Sequence, residues 1–335
     1  MPCFIYKKMT AIKVENLTKK FNGITAVDSI SFEIKEGEVL GLLGPNGAGK
    51  TTTISMLATI LKPTSGTAFV NGFEILGKQD DVRKSIGIVF QDPSLDEELT
   101  AYENMDFHGR LYRIPKEIRQ KKIIELLKLV ELEDRKNNLV KTFSGGMRRR
   151  LEIARGLLHE PKVMFLDEPT LGLDPQTRNH LWQYIKKLNE EKHITIILTT
   201  HYMEEADRLC NNVAIIDHGK IIAMNTPAKL KDEIGGDVIT IESSNNEKLQ
   251  SNLKSLNWIK NVHLHNGFIT VNLQYAEKHV VDIVNLSNKN KIAINSISIH
   301  KPTLEDVFLH FTGRTIREEE ANIKDRMRIR GRMHR

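Results

Sequence analysis

The chain has few cysteines, no long apolar run and, outside its last twelve residues, almost no excess charge. Each shortage excludes something. The two cysteines in 335 residues, Cys3 and Cys210, stand alone and follow no metal-ligand spacing, which argues against a disulfide framework or a zinc site. No apolar stretch approaches the ~20 residues needed to span a bilayer, so the chain is not expected to cross a membrane by itself. The apolar patch Cys3–Tyr6 is too short for a signal-peptide core. Met9 is a candidate true start, because the first convincing strand begins at Ile12. The expectation is a soluble intracellular protein.

Lys plus Arg number 49 against 43 Asp plus Glu, a net charge of +6. An even basic surface would suggest a nucleic-acid partner. The segment 324–335, however, holds six basic residues and one acid, so the first 323 residues carry only +1. The body is nearly neutral. At roughly 150 residues per domain, the length predicts two domains and an ample core.

Residues 12–17 and 30–34 alternate apolar with polar, as half-buried strands do. Residues 39–43 form an unbroken apolar run typical of a strand buried on both faces, and two more buried runs are Val163 to Leu166 and Ile194 to Leu198. Ile54, Leu57, Ala58 and Leu61 recur at helical spacing after the first of them. Buried strands alternating with helices predict a parallel α/β sheet. Residues 95–160 read as mostly helical, with Ile123, Ile124, Leu126, Leu127 and Val130 on one amphipathic element. Past Gly235-Gly236 the texture changes, and strand 237–242, helix 246–255, strands 260–265 and 267–273, helix 276–286 and strand 292–299 give the order β-α-β-β-α-β. That order suggests a small ferredoxin-like unit. Pro302 is expected to open a last helix, 302–312.

Gly44-Pro45-Asn46-Gly47-Ala48-Gly49-Lys50-Thr51 fits G-x-x-x-x-G-K-[ST] between a buried strand and an amphipathic helix. Glycines let backbone N–H groups turn toward a phosphate chain, and the following helix end attracts the same anion. Lys50 would reach the β- and γ-phosphates, and the Thr51 hydroxyl would ligate Mg²⁺. The strand 163–166 ends in Asp167-Glu168-Pro169, at the carboxyl edge where α/β sheets bind ligands. One carboxylate there can serve a Mg²⁺ shell, and the other can orient or deprotonate an attacking water. A third buried strand runs out at His201 on the same edge. Ser144-Gly145-Gly146 opens a helix whose stripe is Met147, Leu151, Ala154 and Leu158, with Arg148, Arg149, Arg150 and Arg155 off it. Ser144 reads equally as a plain N-cap or as part of an anion-approaching helix end.

From about Ile12 to Leu230 these residues resemble the ATP-binding-cassette (ABC) ATPases, with every element in family order. The phosphate loop is Gly44–Thr52, with Thr52 completing it. Gln91 resembles the glutamine-loop residue, Thr142–Met147 the signature segment, Asp167 and Glu168 the second Walker motif, Leu173-Asp174 the D-loop and His201 the switch histidine. Phe21 resembles the aromatic that stacks on adenine. The signature carries Phe143 and Met147 at its outer positions instead of the commonest Leu and Gln, while Ser144, Gly145 and Gly146 are intact. Met147–Arg155, Leu171–Pro175 and the terminal Pro302–Phe308 are similar to the daunorubicin-resistance-type branch.

The resemblance implies a P-loop NTPase of the ABC type: a mixed sheet core, an antiparallel β subdomain and a helical subdomain over about 95–160. The organisation expected is an extension 1–11, an ATP-binding domain 12–235, an α+β ferredoxin-like accessory domain 236–312 and a charged basic tail 313–335. It also implies ATP and Mg²⁺, the metal being held by Thr51, Gln91 and Asp167, partly through water. Glu168 would be the base, with His201 and Gln91 positioning water and γ-phosphate. Lys50 would stabilise developing charge. Two copies would close head to tail on ATP, each nucleotide between one phosphate loop and the other copy's Ser144–Gly146. A separate multi-span permease on the inner face of the cell membrane would use that work, with Gln91 and the Asp92–Glu98 loop transmitting closure, in export of a drug, lipid or glycan. Importer ATPases share every one of these motifs.

A soluble ABC ATPase acting on ribosomes or nucleic acid is the competing expectation. Only one phosphate loop is present, and Asp167 follows Lys50 by 117 residues without a long coiled coil between them; both favour transport. His263 and His265 alternate on one strand face with no third metal ligand in the sequence. Arg326, Arg328, Arg330 and Arg332 alternate with Met and Ile, suiting either anionic lipid headgroups or a solvated tail.

Overall fold

The computed structural model describes residues 9–265 and 267–313. Cys3 and the basic segment 324–335 lie outside the described residues. The chain divides into two compact units, Met1–Met224 and Asn225–Arg335.

The first unit holds two sheets. A six-stranded sheet runs in the order Lys220–Asn225, Asn212–Asp217, Val39–Leu43, Thr195–Thr200, Val163–Asp167, Ile86–Val89. Four of its five pairings are parallel. Val39–Leu43 and Val163–Asp167 are buried along their whole length, as the continuous apolar runs predict. Register aligns the strand ends: Leu43 pairs with Thr200, and Asp167 with Thr199. The residues after these strands, Gly44, Glu168 and His201, therefore leave one edge together.

A four-stranded sheet orders Ile24–Lys35, Thr10–Phe21, Ser65–Val70 and Phe73–Glu74. Both long strands exceed the segments expected from alternation. Along Thr10–Phe21 the register shifts between Val14 and Leu17, where Asn16 takes φ 48. That bulge keeps Ile12, Val14 and Leu17 all buried despite their uneven spacing. The helix after the phosphate loop spans Lys50–Leu57, so Leu61, expected on it, lies beyond its end. Thr59 at φ 60 turns the chain there, and the amides of Ile60 and Leu61 both bond back to the Ser55 carbonyl.

The helices Ala101–Leu111, Lys116–Leu129 and Gly145–Leu157 pack on one another. Thr100 and Glu103 form a capping box at the first. The second buries Ile123, Leu126 and Leu127, each fully buried Ile or Leu adding about 2 kcal/mol.

The second unit opens with the helix Pro227–Ile234. Its sheet is ordered Ile259–His265, Phe268–Leu273, Asp237–Ser243, Ile294–His300, antiparallel throughout. Helices Asn246–Leu253 and Ala276–Lys289 complete the β-α-β-β-α-β order, over a core including Ile239, Ile241, Leu249, Leu253, Ile269 and Val271. This is the split βαβ arrangement expected. The last helix is Leu304–Thr312 and not 302–312: Thr303 caps it in a box with Asp306, which sets the start two residues after Pro302.

Candidate functional site

Three turns meet at the carboxyl edge of the six-stranded sheet. The first is the phosphate loop. Gly49 caps the helix Lys50–Leu57 at φ 105, and a Cβ there would come within 2.4 Å of the Ala26 carbonyl oxygen. No other residue fits. Lys50 is buried; its Nζ donates to the carbonyls of Gly44 at 2.8 Å and Pro45 at 3.1 Å, which folds the ammonium back over the loop.

The second turn follows Asp167. Glu168 takes φ 46, a costly conformation for a side-chain-bearing residue, about 1–3 kcal/mol. Its N–H is held by the Thr199 hydroxyl at 2.9 Å. Its carboxylate is buried between two cationic or cation-capable groups: Oε1 lies 3.3 Å from Lys50 Nζ, and Oε2 is 3.0 Å from His201 Nδ1. Burial pushes the Glu168 pKa up, but the hydrogen bond from His201 and the charge of Lys50 outweigh it and hold the acid below its ordinary value. Glu168 is thus an ionised, backbone-strained carboxylate at neutral pH. His201, from the third turn, fixes its orientation.

Asp167 is buried and its Oδ1 accepts from the Thr51 hydroxyl at 3.1 Å and from the Thr199 hydroxyl. One carboxylate and one hydroxyl are hard oxygen donors. They suit Mg²⁺, which takes one or two protein oxygens and completes its shell from water and phosphate. A cavity of about 350 Å³ is lined by Asn46, Gly47, Gly49, Lys50, Thr51, Thr52, Gln91 and Glu168, with Ala26 and Leu171. Gln91, exposed after the strand Ile86–Val89, lines this cavity together with the phosphate loop.

Other expected residues stand apart from this cavity. Phe21 ends its strand 42% exposed, with the Lys19 ammonium 4.9 Å from its ring centre, and does not line the cavity. Ser144 caps its own helix, accepting from the Met147 amide at 3.3 Å. Gly146 has a packing reason as well, since a Cβ would meet Thr177 Cγ2 at 2.2 Å. Ser144, Gly145 and Gly146 line no part of the cavity within one chain. His263 and His265 stack with ring centres 6.3 Å apart, and His310 comes equally near His263. Among the described residues no group of three or more His, Cys, Asp or Glu is arranged to hold a metal ion.

Arg149, placed off the apolar stripe of its helix, is buried, as is Glu152. Its guanidinium bonds the carbonyl oxygens of Asp167, Glu168 and Pro169 as well as Phe90 and the Glu152 carboxylate. Helical periodicity alone ranks charge as outward. The available signal was the i, i+3 spacing of opposite charges, Arg149 to Glu152.

Comparison with known proteins agrees with this geometry. An ABC transporter family model matches residues 27–171, and a model of the C-terminal domain of DrrA1-3-like ATP-binding proteins matches 226–312. The chain is 40% identical over 311 residues to a linearmycin resistance ATP-binding protein of Bacillus subtilis, covering 92% of this chain and all of that one. It is 38% identical to a daunorubicin/doxorubicin resistance ATP-binding protein of Streptomyces peucetius, covering 90% and 92%. A Nod factor export ATP-binding protein of Ralstonia nicotianae is 38% identical, with 92% and 95% covered. Among solved structures, a cassette from Clostridium perfringens that is part of an ABC transporter complex superposes with a TM-score of 0.62 at 34% identity, over 67% of this chain and 93% of that one. A dimeric ATP-binding cassette in a post-hydrolysis state, bound to ADP and Pi, gives 0.58 at 32%, over 64% and 98%.

Proposed function

The chain belongs to the ABC transporter ATP-binding proteins of the daunorubicin-resistance type, and from that premise we propose that it is the ATP-hydrolysing subunit of an exporter whose membrane-spanning permease is a separate chain. Among the described residues no helix is long and apolar enough to cross a membrane. The observation that carries the reading is the meeting of Lys50, Glu168 and His201 with Thr51 and Asp167 at one sheet edge beside the phosphate loop.

In this reading the Gly44–Thr52 backbone cradles the phosphates, and Lys50 exchanges Glu168 for phosphate oxygens. Thr51 and Asp167, with Gln91, would hold Mg²⁺, which would neutralise phosphate charge. Glu168 accepts a proton from the attacking water as its oxygen bonds to the γ-phosphorus and the bond to the ADP oxygen breaks. His201 keeps the carboxylate oriented. Phe21 stacks on adenine. Ser144, Gly145 and Gly146 serve the nucleotide of a second copy, so the dimer closes while the γ-phosphate is present and opens after hydrolysis. Gln91 and residues 92–98 carry that motion to the permease at the cytoplasmic face of the membrane. The cargo is a drug, lipid or glycan. The basic segment 324–335 adds attraction to anionic lipid, each residue contributing up to about 1 kcal/mol; deleting it should weaken vesicle co-sedimentation at low salt, and an unchanged profile would leave it idle.

The test is reconstitution with the membrane protein encoded beside the gene. MgATP hydrolysis stimulated by that protein, with MgATP-dependent uptake into inverted vesicles, is expected. Stimulation by ribosomes or nucleic acid and none by a membrane partner would contradict it.

A further inference from the structure

Arg149 has five guanidinium N–H groups, and five acceptors receive them. Nε donates to the Pro169 carbonyl at 2.9 Å. One Nη donates to Glu152 Oε2 at 2.8 Å and to the Phe90 carbonyl, and the other to the carbonyls of Asp167 at 3.2 Å and Glu168 at 3.1 Å. Four of these acceptors are backbone oxygens in the two segments that present Gln91 and Glu168. The Phe90 oxygen belongs to the peptide that joins Phe90 to Gln91.

Filling this space with apolar side chains would cost less than burying a charge pair, so the donor pattern, and not the volume, distinguishes the position. Glu168 sits at φ 46, and such a backbone persists only where its surroundings hold it. The link continues through Glu152, whose Oε1 accepts from the Ser94 amide at 2.8 Å and from the Ser94 hydroxyl. One turn further, Arg155 donates to the Ser94 carbonyl at 2.7 Å and to its hydroxyl. The helix Gly145–Leu157 is therefore bonded to both catalytic segments, and its first turn is the Ser144–Gly146 end.

We propose that Arg149 is a positioning residue for ATP hydrolysis that couples the glycine end of its helix to Glu168 and Gln91 of the same subunit. The proposal rests on the reading above, in which that helix end serves the other copy's nucleotide. A planar fork bonded to both segments moves them as one body. Engagement of the helix end by one nucleotide thereby sets the base and the glutamine at the other. The two sites of the dimer become linked.

The test uses the full chain with its permease. Arg149→Lys keeps the charge but offers three donors for five acceptors. Turnover is expected to fall about tenfold or more, while the Michaelis constant and the affinity for a fluorescent ATP analogue stay within about twofold. The Hill coefficient for ATP is expected to exceed 1 in the unaltered protein and to drop to about 1 in this variant. Leu127→Ala is the control for lost stability, since this buried side chain takes no part in these hydrogen bonds: it should lower Tm at least as far and leave turnover and Hill coefficient within about twofold. Arg149→Lys with unchanged turnover and Hill coefficient would overturn the coupling, as would an equal loss in Leu127→Ala. Absence of MgATP hydrolysis by the unaltered complex would instead overturn the ATPase reading and the coupling with it.

Discussion

Lys50 and Glu168 lie 3.3 Å apart, each less than a tenth exposed, on two turns 118 residues apart in sequence. A buried ammonium beside a buried carboxylate is a strong pair only while both remain. In the proposed mechanism, the lysine that takes phosphate is held by the proposed base until phosphate competes for it.

Replacing Lys50 by Ala should therefore act twice. Nucleotide affinity should fall by about tenfold or more, the scale of one charge-assisted hydrogen bond, read by titration with a fluorescent ATP analogue. Glu168 would also lose a charge that holds its pKa down, so its titration should move upward. Unchanged ATP binding would remove Lys50 from the phosphate loop's work.

Gly49→Ala tests the loop's geometry without touching charge. With φ at 105 and the Ala26 oxygen 2.4 Å from the new Cβ, the strained backbone alone should cost about 1–3 kcal/mol. Gly145→Ala has 3.4 Å to Leu173 Cδ2 and should cost no more than about 1 kcal/mol. Thermal unfolding of the two variants should separate them by several degrees; equal midpoints would contradict the loop as described.

His108 supplies a pH signature unrelated to the site. Burial, then the charges of Arg155 and His159, lower its pKa from 6.5 to about 4. The folded protein thus binds fewer protons than the unfolded chain between pH 4 and 6.5, and stability rises with pH across that window. It is complete above 6.5 and is lost as pH falls toward 4. His108→Gln should flatten this slope, worth about 3 kcal/mol at most, in urea titrations at pH 5 and 7.5. A slope unchanged by the substitution would refute the burial argument.

How much of this was legible in sequence depends on what fixes each residue. Gly44–Thr51, Asp167, Glu168 and His201 were readable because local chemistry and strand ends place them; parallel register then brings them together. The ferredoxin-like order was readable from alternation with helical stretches. Asn16 was not, because a bulge is settled by the partner strands and not by its own segment. Arg149 was missed for a related reason. Periodicity assigns charge to the outside, whereas this helix packs against backbone carbonyls that only the folded chain assembles. Ser144 remained open between two readings because its cap bond lies within one chain and it lines no part of the cavity.

The most direct test of the account is Glu168→Gln, assayed together for ATP binding, phosphate release and size in MgATP. Losing the base should reduce phosphate release by about a hundredfold or more while ATP still binds, and the variant should elute as a stable dimer in ATP and as a monomer without it. Phosphate release at the rate of the unaltered chain would take the base away from Glu168 and contradict the mechanism.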